Sequence, residues 1–455
     1  MERRDGTAEM LVRLLDDAHF AALEQIPALV AEHAARAGLY DVRIYLADLQ
    51  QNVLRPLTAL GEIAAKDKAD TGDTAGTDEM AGGQMFAGEP GTEEVTELSV
   101  EGTLAGRVFQ ETRILSSEAP GGGTILWVPM LDGVERLGVI RAATRDPRDA
   151  PSYGDEATDA AAEELPRETG FAYREAAESL ASLVALLVIS KRPYSDSYAR
   201  LVRRRPMNVA AEMQWNLTPP LTFANETMVI GAVLEPAYEI GGDAFDYAIA
   251  GDVVHLAIFD AMGHDTSAGL TANLAVAACR NHRRQGAGLV ETSENVERVL
   301  IEEFGRGVRF VTAIMAHLDL TTGLLTWVNR GHHPPVVIRD GRWTSTLECP
   351  PSHPLGLDLG IPVTLCREQL EPGDRLLLYT DGITEARNRH GQEFGLHHFV
   401  DFIIRHNAAG LAVPETLRRL IRNVLDYHSG ELQDDATVLL AEWRGGGARR
   451  LALRA

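Results

Sequence analysis

Several aspartates in the second half of the chain stand where apolar strands are predicted to begin or end. Asp260 follows the apolar run VVHLAIF, and Asp381 follows RLLLYT. Asp434 and Asp435 directly precede ATVLL, and Asp243 lies within EIGGDAFDY. A carboxylate at the edge of an apolar core is costly unless a cation or hydrogen bonds satisfy it. These residue types therefore indicate a site that binds positive charge.

Divalent metal ions are the cations that this pattern favours. Small residues follow two of the acids, in DAMG from Asp260 and in DG from Asp381, and they leave open space and accessible backbone carbonyls. Mg²⁺ and Mn²⁺ prefer oxygen ligands and retain several waters. Two such ions about 3.5 to 4 Å apart can activate a water and neutralise phosphate oxygens. A single aspartate at a strand end is more often a cap or turn residue, so the prediction depends on the combination.

Composition narrows the function classes. The chain has 455 residues, of which 45% are hydrophobic and 24% charged, which predicts a globular protein of two or three domains. Lys and Arg number 43 against 66 Asp and Glu, so the net charge is −23. Nucleic acid is bound mainly through clustered Lys and Arg, so no nucleic-acid partner is expected.

The spacing of the cysteines and the lengths of the apolar stretches indicate the cellular compartment of the protein. Cys279, Cys349 and Cys366 form no CxxC or CxH pair, so neither a disulfide framework nor a thiolate zinc site is predicted. The N-terminal residues are charged where a signal peptide needs an apolar core, and no stretch approaches the roughly 18 to 20 apolar residues that span a bilayer. We therefore expect a soluble protein of the reducing cytoplasm with no membrane partner.

Histidines and glycines near the acids allow two readings. His264, His332 and His333 could donate a proton to a leaving serine oxygen, but Gly-His and His-Pro steps commonly fix loops by hydrogen bonding, and we favour that role. Asn329 is interpreted in the same way. Gly241 and its neighbouring glycine are expected to let the backbone approach the metal cluster, because no GxxxxGK[ST] or GxGxxG motif supports nucleotide binding.

The first 145 residues predict a small domain of mixed helices and strands. Apolar spacing predicts a helix over 8–36 and a strand over 41–46, and a second helix is predicted over 102–112. Two apolar strands over 125–143 with Asp-Gly between them predict a hairpin. Residues 61–98 are acidic and nearly free of large aliphatics, so we predict a mobile insertion there.

This order of elements resembles a GAF domain, a small α/β sensor fold, over residues 8–145. The resemblance rests on GTLAGRVFQET followed by VPMLDGVERLGVI. An unrelated α/β domain with the same order of elements is the alternative. A GAF-like domain implies a small-molecule ligand, or a role only in dimerisation.

A linker and signalling helix are predicted over 146–206. Residues 144–170 are acidic and contain three prolines, and a continuous helix is predicted over 171–190 with one apolar side. That side fits a helix joining a sensor to an output domain, or one pairing with its copy in a homodimer. Pro206 can start a further helix that ends before Thr218.

Residues from 221 onward read as short apolar strands separated by turns, with helical stretches near 266–284 and 411–427. Many strands with a few helices predict a layered α+β domain, in which antiparallel sheets form the core and helices cover them.

The same region resembles the SpoIIE/RsbU-like serine/threonine phosphatases of the metal-dependent protein phosphatase 2C (PPM) superfamily. The motifs are GGDAFD, FDAMGHD, VNRGHHPP, LLLYTDGITEARN and DDATVLL, in that order. They cover 207–442, and 443–455 form a tail. The resemblance implies an α-β-β-α sandwich with two Mn²⁺ or Mg²⁺ ions in a cleft at one end.

The resemblance also assigns the acids. Asp260 would bridge both metals, and the Ala261 carbonyl would complete the first site. Asp381 and Asp434 would hold the second metal. Asp243 would bind or orient water ligands. These four aspartates are the predicted catalytic residues, with metal-activated water attacking phosphorus and no covalent enzyme intermediate.

Three positions qualify that assignment. Asp435 joins the metal-site residues, behind the direct ligands, because related enzymes often have a non-acidic residue there. Asp265 stands where Gly is common, and it adds negative charge near the cleft. Arg330 stands where Ala is common, and it could help to bind phosphate.

The resemblance implies a substrate and a partner. The protein is predicted to dephosphorylate phosphoserine or phosphothreonine on an anti-anti-sigma (STAS) protein, under control of the GAF-like domain, and so to regulate a sigma factor. The helix near Pro206 matches the family's regulatory helix. One alternative is a catalytically weak or inactive phosphatase fold that senses a ligand or binds a phosphoprotein, and another is a phosphatase of small molecules.

Overall fold

The computed structural model describes residues 2–58, 96–119, 123–144, 169–239, 241–263, 265–408, 410–427, 432 and 434–445. The chain separates into two compact units. The first contains residues up to 132 together with 136–204, and the second contains residues 133–135 together with those from 205 onward.

The first unit is built on a six-stranded sheet with the strand order β3-β2-β1-β6-β5-β4. Its strands are β1 (Leu39–Ala47), β2 (Val53–Pro56), β3 (Leu98–Ser99), β4 (Leu115–Glu118), β5 (Thr124–Asp132) and β6 (Glu135–Thr144). Its helices are α1 (Glu2–Ala18), α2 (Ile26–Ala34), α3 (Leu104–Glu111), α4 (Thr169–Lys191) and α5 (Asp196–Val202).

Side chains of this sheet alternate between two cores, as the two-residue period of a strand requires. Ile44 and Ile140 pack with α1, α2 and α4, whereas Tyr45 and Val139 pack with α3. Helices therefore cover both faces, and the predicted α/β character of the N-terminal region is confirmed. The assignment of this unit to the GAF fold stays a prediction.

The single helix predicted over 8–36 is wrong. Two helices, α1 and α2, occupy this stretch, and a short 3₁₀ turn (Leu23–Gln25) lies between them. Pro27 lies in the first turn of α2, where its missing N–H is tolerated, but it would interrupt a continuous helix. Gly38, with φ of 77°, ends the second helical stretch.

The other elements predicted for the first unit are found. The helix over 102–112 is α3, capped by Thr103, whose side chain accepts a hydrogen bond from Gly106 N. The hairpin over 125–143 is β5 and β6, and the helix over 171–190 is α4. The predicted acidic insertion over 61–98, apart from its last three residues, and the linker up to 168 lie outside the described residues.

The second unit contains two antiparallel sheets. The five-stranded sheet has the order β15-β12-β11-β10-β9, and the six-stranded sheet has the order β14-β13-β16-β17-β8-β7. The strands are β7 (Thr222–Ala224), β8 (Met228–Glu235), β9 (Asp243–Ala250), β10 (Val253–Ala261), β11 (Val311–Asp319), β12 (Leu324–Arg330), β13 (Val336–Arg339), β14 (Trp343–Thr346), β15 (Cys366–Gln369), β16 (Arg375–Tyr379) and β17 (Ala436–Trp443).

The helices of this unit lie in two groups. They are α6 (Val209–Leu217), α7 (Thr266–Arg284), α8 (Leu289–Phe304), α9 (Asp381–Thr384), α10 (Gly395–Ala408) and α11 (Val413–Tyr427). α7 and α8 share a core with Phe259 of the five-stranded sheet, and α10 and α11 share one with Leu377 of the six-stranded sheet. Ile258 and Leu378 meet in a central core between the sheets. The predicted α-β-β-α sandwich is therefore confirmed.

One prediction about the cysteines is wrong. Cys349 and Cys366 form a disulfide with their Cα atoms 5.9 Å apart. The two residues are 17 positions apart in no recognisable motif, and only the return of the chain into β15 brings them together. Cys279 is buried and free. No helix within the described ranges is long and apolar enough to cross a bilayer.

Candidate active site

The β9–β10 hairpin brings the first two predicted acids together. Asp243 and Asp260 are direct partners across the two strands. Neighbouring Phe245 and Ile258 point into the core between the sheets, and strand alternation gives the two aspartates that same direction. Both carboxylates therefore lie on the inner face of the five-stranded sheet, at one end of the hairpin.

The six-stranded sheet presents the other acids at the ends of two paired strands. Asp381 opens α9 just after β16, and Asp434 and Asp435 immediately precede β17. β16 and β17 are antiparallel neighbours, so the end of one lies beside the start of the other. Thr380 N donates to Thr437 O at 3.0 Å and continues this pairing.

A side-chain hydrogen bond joins the two sheets at this end. The Thr380 hydroxyl donates to Asp243 Oδ2 at 2.6 Å, and Thr437 N donates to the same hydroxyl oxygen at 2.9 Å. Both residues are buried. The bond therefore places the acids of the two sheets at the same end of the sandwich.

Asp435 holds the loop that carries Asp243. Its Oδ2 accepts hydrogen bonds from the N–H groups of Gly241 at 2.9 Å, Gly242 at 2.6 Å and Asp243 at 3.3 Å. This carboxylate is 4% exposed. The oxygen thus anchors a turn of backbone, which is a position behind direct metal ligands.

Gly242 is required by a close approach of two backbone segments. A Cβ atom at this position would lie 2.4 Å from Ala261 O and 2.5 Å from Gly263 O. Ala261 N also donates to Gly242 O at 3.0 Å. Gly242 is therefore needed for a contact between two backbone segments, and the predicted approach of the glycines to a metal cluster stays a prediction. Residue 240 lies outside the described residues.

His332 is a buried bridge between strands. Its Nε2 lies 3.0 Å from the carbonyl oxygen of Tyr379, and its Nδ1 lies 2.7 Å from the hydroxyl of Thr312. A carbonyl can only accept, so we assign the ring proton to Nε2, and Nδ1 then accepts from Thr312. Thr312 is the direct partner of Asp260 across β10 and β11.

Protonation of this histidine is strongly disfavoured. Burial, followed by the charge of His333, lowers the pKa of His332 to about 3, against the opposing hydrogen bond to Tyr379. Asn329 and His332 also exchange two hydrogen bonds, at 2.9 and 3.0 Å. The preferred loop-fixing role therefore fits both His332 and Asn329. His333 is exposed and stacks on Tyr379, and His264 lies outside the described residues.

The acids repel one another where water is scarce. Burial, followed by the charges of Asp260 and Asp435, raises the pKa of Asp243 well above its usual range. Burial, then the charges of Asp381, Asp434 and Asp435, raises the pKa of Asp260 to about 7. Burial also raises the pKa of Asp435 against its three backbone hydrogen bonds.

An oxygen-only donor set with repelling charges fits a hard divalent cation. Asp260 and Asp381 are half-buried and Asp434 is exposed, so their carboxylates are open to solvent on one side. Among the described residues, no three His, Cys, Asp or Glu side chains converge as a ready cluster for a metal.

Asp265 and Arg330, which differ from the residues common at these positions in the family, make contacts outside the predicted phosphate site. Asp265 caps α7, because its Oδ1 accepts a hydrogen bond from Ala268 N at 2.8 Å. Arg330 has no exposed surface and pairs with Glu297 of α8, on the helical side of its sheet. The idea that Arg330 helps to bind phosphate is therefore wrong for this structure.

Thr380 and Thr312 are site residues that sequence reasoning missed. Thr380 directly precedes Asp381 in LLLYTDG, so its proximity to the acids was visible in the motif. Its hydrogen bond to Asp243, which is 137 residues away in the chain, could not be predicted from the motif.

Known proteins similar to this chain match its C-terminal region. Residues 250–444 match the sequence profile of the family described as Stage II sporulation protein E (SpoIIE). Phosphoserine phosphatase RsbU of Bacillus subtilis (strain 168) is 25% identical over 240 residues, which cover 51% of this chain and 69% of RsbU. Phosphoserine phosphatase RsbP of the same organism is 27% identical over 191 residues, which cover 41% of this chain and 47% of RsbP.

A solved structure of the RsbU and RsbW domains of Rv1364c from Mycobacterium tuberculosis is 26% identical, with a TM-score of 0.42. The match covers 48% of this chain and 62% of that one. The SiaA-PP2C domain of Pseudomonas aeruginosa is 19% identical, with a TM-score of 0.43, over 52% of this chain and 94% of that one.

A sandwich of two antiparallel sheets with carboxylates at one end, together with the match to the SpoIIE profile and to RsbU, defines the class of PP2C-type, or PPM, phosphatase domains. Within that class, residues 250–444 of this chain match the SpoIIE family profile. The predicted resemblance is therefore confirmed for the C-terminal region. The predicted boundaries of the domain, 207 and 442, stay a prediction.

Proposed function

We propose that this protein is a metal-dependent protein serine/threonine phosphatase. The observation that carries the proposal is that acids from two sheets lie at the same end of the sandwich. Asp243 and Asp260 come from one sheet and Asp381, Asp434 and Asp435 from the other, and the Thr380–Asp243 bond ties the two groups together. The match to SpoIIE and the two phosphoserine phosphatases supports it.

The metal would be held by Asp260, the Ala261 carbonyl, Asp381 and Asp434, with Asp243 placing water ligands. When bound, Mg²⁺ or Mn²⁺ supplies the positive charge that neutralises phosphate oxygens and acidifies a water. Such ions use one or two carboxylates and keep several waters, so open carboxylates suit them. We infer two ions by resemblance.

The surrounding residues fix the acids rather than react. Thr380 orients the Asp243 carboxylate, and Asp435 holds the loop beneath it. His332 holds Thr312 beside Asp260, and its lowered pKa of about 3 keeps the ring neutral near neutral pH, with its one N–H bonded to the Tyr379 carbonyl. Direct attack by water requires no protein nucleophile, and Cys279 is buried outside the site.

The substrate we propose is a phosphorylated anti-anti-sigma protein of the STAS type. RsbU and RsbP are named phosphoserine phosphatases, and they support the phosphoserine class of substrate. Under the same proposal the N-terminal α/β unit acts as a GAF-like sensor that controls the phosphatase, and the chain forms a homodimer. The match covers less than half of RsbP. The substrate, the sensor role and the homodimer are therefore proposals for this chain.

Phosphate release from an aryl phosphate and from a phosphorylated STAS protein tests the proposal. The full chain is assayed with Mn²⁺, with Mg²⁺ and with chelator, alongside Asp260→Asn. Asp252→Asn is the matched control, because Asp252 is an exposed residue of the turn that joins β9 to β10. Turnover that needs metal and Asp260 but not Asp252 is expected.

Absence of turnover on both substrates with either metal would contradict the proposal. A protein that still bound the phosphorylated STAS protein would then be a binding module on a phosphatase fold. Turnover of the aryl phosphate alone would argue against the protein substrate.

A further inference from the structure

A cavity lies on the helical side of the five-stranded sheet, and none of the predicted site acids lines it. Its volume is about 490 Å³, and it is bounded by α8 and by residues 353–363. This volume is in the range of small-molecule pockets. Ile301, Ile361 and Val363 give it apolar walls.

Arg330 forms the floor of the cavity. None of its surface is exposed, whereas Gly360 and Ile361, which also line the cavity, are exposed and form the rim. Nη2 of Arg330 pairs with Glu297 Oε2. Nε and Nη1 are buried, and within the described part of the chain they have no hydrogen-bond partner.

Glu297 does not supply the missing acceptors in this structure. Its other oxygen, Oε1, accepts hydrogen bonds from His353 Nε2 and from Asp358 N, both at 2.9 Å. Both carboxylate oxygens are therefore engaged, and Arg330 is held in place with unused donors. Buried donors without acceptors are costly, so the floor of the cavity is suited to a ligand that brings oxygen atoms.

The local charges select among such ligands. Arg330 is neutralised by Glu297, and Asp358 pairs with Arg306. Glu294 and Arg298 add one charge of each sign to the lining. The lining therefore carries no excess positive charge to balance a dianion such as a phosphate ester. A single carboxylate matches the planar guanidinium donors with only one charge.

We propose that this cavity binds a small organic carboxylate. Its oxygens accept from the free nitrogens of Arg330, and its apolar part packs on Ile301, Ile361 and Val363. Arg330 has no exposed surface, so neighbouring side chains must shift to let the ligand reach its nitrogens. The inference does not depend on the phosphatase activity.

Benzoate is the probe, and benzyl alcohol is the uncharged control of similar size. Binding to the full-length protein is measured by calorimetry. A dissociation constant on the order of 1 mM is expected for a ligand of this size, with benzyl alcohol at least about tenfold weaker. A wild-type protein with no saturable benzoate binding would overturn the proposal.

Two tryptophan variants locate the binding. Ile361→Trp fills the cavity from its exposed rim and is expected to weaken benzoate binding by about tenfold or more. Leu359→Trp is the matched control, because Leu359 is exposed on the same segment and does not line the cavity. Equal binding by the two variants would place benzoate elsewhere and contradict the proposal.

Arg330→Lys tests the floor. It keeps a cation beside Glu297 but removes the free Nε and Nη1 donors, so benzoate binding is expected to fall by about tenfold. Unchanged binding in the folded variant would overturn the role of Arg330. If this variant does not fold, the tryptophan pair and a crystal soaked in 4-iodobenzoate decide the matter, since iodine outside the cavity contradicts the proposal.

Discussion

At the scale of single residues, burial and the negative charges of the acid cluster set the pKa values of its members before any substrate binds. Asp243, Asp260 and Asp435 all have raised pKa values because burial and like charges disfavour their ionised forms. The metal-free protein therefore pays an electrostatic penalty at neutral pH. This penalty follows from the same geometry that makes the site suitable for cations.

The raised pKa of Asp260 can be tested by measuring how the stability of the protein depends on pH. Its pKa rises from 3.8 to about 7 on folding, so the folded state holds this proton more tightly than the unfolded state. Stability from the protonated carboxyl is therefore present below pH 4 and is lost as pH rises from about 4 to 7, by at most ~4 kcal/mol. Asp260→Asn should flatten this part of the metal-free stability profile, measured by urea unfolding.

Asp252→Asn serves as the control, because Asp252 is exposed. Its profile should match the wild type. A profile for Asp260→Asn that keeps the wild-type decline between pH 4 and 7 would contradict the assignment of the shift to Asp260.

His332 provides a second test at the same scale. His332→Asn removes the bridge between Thr312 and Tyr379 and leaves buried polar groups unpaired, which should destabilise the protein by about 1–3 kcal/mol. Metal-dependent turnover should fall by about tenfold, yet the shape of its profile over about pH 6 to 9 should not change. His333→Asn is the control, since His333 is exposed. Loss of one limb of the profile would instead identify His332 as a proton donor.

At the scale of elements, the site depends on the contact between two loops. The turn before β9 and the segment after β10 approach so closely that Gly242 has no room for a side chain. Asp435, just before β17, ties the same turn to the other sheet. Strand ends supply the acids, but these backbone contacts fix their spacing.

Gly242→Ala tests that contact. Its Cβ would meet two backbone oxygens, which cannot rotate away, so the loops must separate. We expect metal-dependent turnover to fall by at least about tenfold and the melting temperature to decrease, since overpacking typically costs about 1–3 kcal/mol. Gly288→Ala is a matched control, because a Cβ there meets nothing within 4 Å. Wild-type turnover in Gly242→Ala would show that the loop spacing does not matter.

At the scale of the whole molecule, a covalent link restricts the unfolded chain. The Cys349–Cys366 disulfide closes a loop between residues 17 positions apart, and this segment forms one wall of the cavity lined by Arg330. Cross-links of this length stabilise by reducing the freedom of the unfolded state, by about 3 kcal/mol.

Reduction tests this contribution. Unfolding by urea should occur at lower concentration in the presence of dithiothreitol, with a loss of about 3 kcal/mol in the free energy of unfolding. A Cys349→Ser/Cys366→Ser variant should match the reduced protein and should not respond to the reductant. An equal response of this variant and the wild type would assign the effect to another group.

Much of the fold was predictable from local patterns. An alternating pattern predicted β1, and apolar runs bounded by turns predicted the β5–β6 hairpin and strands of the second unit such as β10, β16 and β17. An apolar stripe predicted α4, and helical stretches were predicted where α7 and α11 lie. The break between α1 and α2 was missed, although Pro27 marks it. Helices and strands can be predicted from such patterns because the periodicity of side chains depends only on the local segment.

The sequence by itself determined the type of site, since the aspartates stand at the ends of apolar strands and within contiguous motifs. Only the tertiary structure decided that Thr380 holds Asp243, that Asp435 binds a backbone turn, and that Arg330 faces α8. These contacts join residues 33 to 194 positions apart. They depend on how two sheets and their helices pack, which residue type and spacing along the chain do not specify.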